Sequence, residues 1–329
     1  MTTKRRPILA HPDDLYCVAF HLLVLASYGL AFWIYLHPRQ AHITGPWSLA
    51  AFVIAAALLI GWIAGMDAGI NFHNHAHKPI FNYGFLNRWF GRLWTFSSGW
   101  PSYFWRHAHV VVHHPNVLNP EKDWTVPVRD ANGRPEHLFK YMVVHWPWRY
   151  YKHLWSEFMH GPKARRNTAI KEFLIFLVLW SIPFWIDWKM ALLLWVIPQW
   201  VGNCLAMGGG MWVQHEGCEE MSEAKPHGHS NDHLLWIFQA TAFNIGYHIE
   251  HHENPLVHWS ELPQLHLQMR DELVAAGAHL DPQHGYAGAT ALACIRAIAA
   301  PFRKVTLPSH SETIPAESPT ARGGSGASA

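Results

Sequence analysis

Four long apolar runs leave this 329-residue chain few ways to fold. They cover residues 15–36, 48–66, 173–188 and 190–213, and the second has no charged side chain. A helix that crosses a bilayer needs about 20 mostly apolar residues. The first, second and fourth runs meet that length. The third is shorter and carries Pro183 and Asp187 near its end, so its helix is expected to extend back through Ala169 and Ile170. Half of the residues are hydrophobic and only 15% are charged, which argues against two soluble domains despite sufficient length.

Aromatic residues at the run ends (Trp33, Tyr35, Trp62, Trp180, Trp185, Trp188) suit the two membrane–water interfaces. Basic residues set the orientation. Lys4, Arg5 and Arg6 lie in the N-terminal lead, and Lys78, Arg88, Arg92, Arg106, Lys163, Arg165 and Arg166 lie in the middle region. The two short connections carry only Arg39 and Lys189. The positive-inside rule then puts both termini and the middle region in the cytoplasm. The expected fold is an all-α membrane protein. Four transmembrane helices form two hairpins, 15–69 and 169–213, beneath a cytoplasmic helical cap. Residues 1–12 read as a polar lead, 13–304 as the membrane domain, and 305–329, rich in Ser, Pro, Gly and Ala, as a disordered tail. Segments 83–100 and 139–160 mix aromatics with charge, as helices in the interface or ordinary amphipathic helices do.

Some classes drop out early. A net charge of +2 with no basic stripe gives no sign of nucleic-acid binding. The first run is too long for the apolar core of a cleaved signal peptide. Cys17, Cys204, Cys218 and Cys294 form no CxxC pair and read as packing residues.

Histidine carries the chemistry. Three clusters stand just beyond apolar runs or between them: His73-Asn-His75-Ala-His77, His107-Ala-His109-Val-Val-Val-His113-His114 and His248-Ile-Glu-His251-His252. All fall on the cytoplasmic side of the expected topology. On a helix, His73 and His77 share a face, His113 lies four beyond His109, and His248, His251 and His252 stand at i, i+3 and i+4. Neutral imidazole is the commonest side-chain metal ligand. These eight histidines exceed the four ligands of a tetrahedral zinc site and suffice for two ions.

Other metal signatures are missing. His215-Glu216 does not continue into H-E-x-x-H, and Glu157-Phe-Met-His160 is a lone E-x-x-H where a carboxylate-bridged bundle needs two. No C-x-x-C-H marks a haem. His75 and His107 lie off the shared faces and are expected to orient ligands, with Asn74, Glu121, Asp123, Glu216 and Glu250 as further candidates for that work. Isolated histidines such as His21, His137, His145 and His284 read as structural.

With these boxes the chain resembles the membrane fatty acid desaturase superfamily, which includes hydroxylases and ketolases. The boxes are His73-x3-His77, His109-x3-His113-His114 and His248-x2-His251-His252, and 244–266 resembles the family's third box with its proline-rich turn. The resemblance covers about 15–270. It implies a ninth metal ligand, His215, shortly after the fourth apolar run. It also implies an Asn four residues before that histidine, where this chain has Met211, expected to pack and not to bind.

The resemblance further implies two Fe ions as cofactors, O2 as co-substrate, and a long-chain fatty acid or acyl lipid as substrate. Desaturation is the leading expectation. Lipid hydroxylation or ketone formation and 1-alkene-forming decarboxylation share the same scaffold. A non-enzymatic metal or haem protein is the remote alternative, disfavoured because the spanning runs hold few ionisable groups. No fused b5 signature or G-x-G-x-x-G fingerprint appears, so electrons are expected from a separate ferredoxin, rubredoxin or cytochrome b5-type donor. The expected location is a multi-pass position in a bacterial inner membrane.

Overall fold

The computed structural model describes residues 6–299; the tail expected at 305–329 lies outside them. Each apolar run folds as a helix, because a segment in lipid must satisfy its own backbone polar groups. Four helices are long and apolar enough to span a membrane: α1 (Asp14–Leu36), α2 (Pro46–His77), α6 (Lys163–Ile186) and α7 (Trp188–His215). The third run does extend backward, as far as Lys163. Between α2 and α6 lie α3 (Gly84–Leu93), α4 (Ser102–Arg106, continuing as a wide π turn over His107–His113) and α5 (138–160). After α7 come α8 (Trp236–Thr241), α9 (His248–Glu253), α10 (Leu262–Ala275) and α11 (Tyr286–Ala299). The chain is not wholly helical. A short parallel pair joins β1 (Asp232–His233) to β2 (Leu280–Asp281), a feature too brief for sequence periodicity to signal.

Helix length places the histidines. At 1.5 Å per residue, α2 with 32 residues and α7 with 28 are about 48 and 42 Å long. The hydrocarbon core is about 30 Å thick. The C-terminal ends of both helices, bearing His73, His77 and His215, therefore project beyond an apolar slab. The two helices run side by side in the same direction. Small residues let them approach: a Cβ on Gly202 would stand 2.4 Å from the Gly61 carbonyl oxygen, and one on Gly65 would stand 2.6 Å from Ala206 Cβ. Gly61-x3-Gly65 facing Gly202-x3-Ala206 is the small-residue pattern of close helix packing in membranes.

Polar anchors fix the other elements. His21 Nδ1 of α1 lies 2.7 Å from Asp67 Oδ2 of α2, and Asn71 Nδ2 donates both to Asp67 Oδ1 and to the Cys17 carbonyl, each at 2.8 Å. Arg92 of α3 forms a bidentate pair with Glu172 of α6, both bonds 2.9 Å. Trp89 of α3 and Trp148 of α5 are exposed. The N-terminal segment is tied down: Ala10 N donates to the Ile80 carbonyl (2.8 Å), and Asn82 N donates to that of Ile8 (2.9 Å).

Candidate metal centre

The nine histidines singled out in the sequence converge above the ends of α2 and α7 in two adjoining groups. In the first, one ring nitrogen each from His73, His77, His109, His114 and His251 lies within 4.8 Å of the others. In the second, His113, His215 and His252 meet the same limit. His248 Nε2 stands 3.1 Å from His252 Nε2 and joins this side. The rings of His114 and His252 stack at 4.3 Å where the groups touch.

Local geometry divides the boxes between the groups. In the π turn over His107–His113 the backbone N–H of His114 bonds to the His109 carbonyl, five residues back. His114 thus comes under His109, and their Nε2 atoms are 3.0 Å apart. His113 is turned to the second group. A shared face at i and i+4 is expected from α-helical spacing; the wider turn pairs i with i+5 instead. In α9, which is α-helical, His248 and His252 pair at i and i+4, while His251 turns to the first group, 3.2 Å from His114 Nε2.

These residues fit metal ions. Two nitrogens at right angles, each about 2.1 Å from one ion, are about 3.0 Å apart, close to the spacings found. Nε2 of His73, His77, His113 and His215 is buried with no hydrogen-bond partner. Unpaired nitrogens gathered in a dry interior are costly unless something binds them. Burial, and then the neighbouring imidazoles, hold His109, His114, His248, His251 and His252 well below the usual histidine range. They are neutral near pH 7, the form that ligates metal. Imidazole ligands suit iron, zinc, copper and nickel alike.

Outer contacts aim the rings. Asp123 Oδ2 accepts from His113 Nδ1 at 2.9 Å and from the Leu118 N–H at 3.0 Å, while its Oδ1 accepts from Thr125 Oγ1 at 2.7 Å. Burial pushes Asp123 upward, but the His113 imidazole and hydrogen bonds from His113 and Thr125 outweigh it, so its carboxyl lies below the usual range. The His229 carbonyl accepts from His215 Nδ1 at 2.8 Å. Asn74 Oδ1 is 3.3 Å from His73 Nδ1. The indole of Trp105 stacks on His109 at 5.3 Å. Such contacts fix tautomer and ring direction.

Other candidates lie elsewhere. His75 packs its ring against Trp94 and accepts the Ile80 N–H at 3.3 Å; His107 pairs with Glu157 at 2.6 Å. Both sit two residues from a converging histidine, which on a helix turns them to another face. Glu121 is exposed in a loop. Glu216 pairs with Arg296 at 2.8 Å on the surface, because the backbone becomes extended where α7 ends. Glu250 points to the opposite side of α9 from the box histidines and meets His266 and Asp232. Asp232 Oδ1 also accepts the Ile249 N–H at 2.9 Å. Burial and the Glu250 charge raise Asp232 well above the usual carboxyl range. Asp232, His266 and His229 were not singled out in the sequence: they stand outside the boxes and at no helical spacing from them.

A cavity of about 290 Å³ adjoins the first group. Its wall runs along α2 from Trp62 to His73, eleven residues or about 16 Å. Met207, Gly210 and Met211 of α7 form the facing side. His73, His109 and His248, one from each box, line it too.

Four helices apolar enough to span a membrane, with nine histidines gathered beyond their ends in groups that could hold metal, are the features of an integral membrane protein with a candidate metal centre. The fatty acid desaturase family matches residues 46–284, most of the chain and all nine histidines, so the chain belongs to that family. Comparison with curated proteins finds no match. Membership implies an oxidoreductase that acts on fatty acyl lipid.

Proposed function

We propose that the protein is a di-iron, O2-dependent fatty acyl desaturase. One observation carries this reading: His73, His109 and His248 belong both to the converging nitrogens and to the wall of the cavity. A long apolar chain in that cavity lies against the metal positions. Two irons held by the nine histidines, supplied with O2 and with electrons from a separate donor, would provide the power to remove hydrogen from an unactivated carbon.

The chain's own residues set the geometry. Asp123 and the His229 carbonyl hold the Nδ1–H tautomers of His113 and His215, leaving each Nε2 free for metal. Ile70, Trp146, Met207 and Met211 keep the cavity wall apolar and exclude water. Trp62 lines the α2 side far from the histidines, where chain length would be measured.

Hydroxylation and 1-alkene formation remain a second reading. The observation behind it is Met211, a thioether in the cavity wall four residues before His215. It lacks the donor with which an amide would hold a water, so a polar substrate group could exchange into the space beside it. We assign the histidine-bearing cap to the cytoplasmic side of a bacterial inner membrane, above two helical hairpins in a membrane domain of 13–304. Loop charge supports the sidedness.

The test is expression in a bacterial host with mass spectrometry of lipids and hydrocarbons, beside a His251→Ala control. New double bonds support desaturation. Hydroxylated chains or terminal alkenes one carbon shorter support the second reading. Profiles identical to the control defeat both.

A further inference from the structure

The two groups are unequal. The first gathers five histidines, whereas the second gathers three with His248 beside them. His229 lies against the second. It is 1% exposed, and neither Nδ1 nor Nε2 has a hydrogen-bond partner. Among the described residues, no other histidine has both ring nitrogens buried and unpartnered. Its ring centre is 5.5 Å from that of His252, and its own carbonyl holds His215.

The placement is braced. Asn231 fastens the 216–231 loop to the end of α7: its N–H donates to the Gln214 carbonyl at 2.8 Å, and its Nδ2 donates to the carbonyls of Val213 and Glu216, each at 3.0 Å. Glu219 N donates to the Gly228 carbonyl at 3.0 Å, closing the loop on itself. A loop fixed this firmly carries a bare imidazole into a dry interior, where leaving it unsatisfied is costly. A small polar molecule at the centre would satisfy it. His229 is not among the nitrogens that converge within 4.8 Å at the second group, so it stands one layer further out than a ligand. Met211, four residues before His215 on α7, offers only a weakly accepting thioether and no donor for that work.

We propose that His229 is a positioning residue of the centre: its imidazole hydrogen-bonds a water bound at the metal position of His113, His215 and His252. The proposal rests on the two-metal reading above. It makes the loop after α7 part of the centre, although no histidine box lies in it.

The test uses full-length protein in detergent, loaded with 57Fe, with iron counted and Mössbauer spectra recorded. Wild type should hold two irons with distinguishable signals. His229→Phe should keep two irons and alter the signal of one. His229→Gln, which still offers a hydrogen bond, should return that signal toward wild type; the same holds if Phe lowers iron content and Gln restores it. An unchanged spectrum in His229→Phe overturns the proposal, as does loss of iron from both variants. Fewer than two irons in wild type overturns the two-metal reading itself, and this role with it.

Discussion

His114 Nε2 lies 3.0 Å from His109 Nε2, five residues before it, because the backbone between them makes one wide turn closed by the His114 N–H and the His109 carbonyl. An ordinary α-helix would put these residues on different faces. Within this box His109 and His114 face the first group and His113 the second. Wide turns of this kind recur at functional sites.

Asp123 is the contact that matters most to His113. Replacing it with Asn removes the charge that favours the Nδ1–H tautomer, and loss of such a partner typically lowers metal affinity 10–100-fold. A chelator competition series should show Asp123→Asn releasing metal first. Glu216→Gln, at the surface beside Arg296, should match wild type. Equal affinities in the two variants would count against the role given to Asp123.

Glu216 also shows where sequence stops being informative. It follows a converging histidine directly, but the helix ends there and its side chain leaves for the surface. The four spanning helices were legible because about 20 apolar residues in a row match the thickness of a bilayer and little else. Eight of the nine converging histidines were legible as spaced clusters, and His215 through resemblance. Their division into groups was not, since it depends on a turn type that spacing alone does not distinguish. Nor was the Asp232–Glu250–His266 brace behind α9, whose members are far apart in sequence and meet only through the β1–β2 pair and the return of α10. His229 hid in a polar loop with no periodicity.

Acid should destabilise the metal-free protein in a defined window. Burial and mutual repulsion depress the folded-state values of His109, His114, His248, His251 and His252. Burial, with His227 and His113, lowers His229 to about 4. An unfolded histidine titrates near 6.5. Below that pH the unfolded chain binds more protons than the folded one, so stability rises with pH across the window. The midpoint of thermal unfolding should fall as pH drops from about 6.5 toward 4 and flatten above about 7.5. A midpoint that rises on acidification in this window would contradict neutral, buried imidazoles.

Close contact of α2 with α7 makes Gly202 sensitive to a single methyl. Its Cβ would meet the Gly61 carbonyl oxygen at 2.4 Å, a backbone atom that cannot swing aside. Gly202→Ala should push the helices apart at a cost of about 1–3 kcal/mol, the usual range for overpacking. It should lower the unfolding midpoint in detergent and loosen metal binding, because His77 and His215 ride on the separated helix ends. Gly29→Ala, with nothing within 4 Å of its Cβ, serves as the control. Equal midpoints in the two variants would show that the helices have room to spare.

The cavity wall offers a change that leaves the metals alone. Gly210 lines the cavity, and its Cβ would meet only Tyr286, at an ordinary 3.5 Å. Gly210→Ala should fold and bind metal normally. Gly210→Val adds bulk to a wall opposite α2 and should reduce the room for an apolar chain. If that space holds the substrate, the product profile should move toward shorter chains, or turnover of long chains should fall more than that of short ones. Iron content should stay at the wild-type level in both variants. Normal metal with an unchanged product profile in Gly210→Val would place the substrate somewhere other than this cavity. The link between the histidines and a lipid substrate would then need another route.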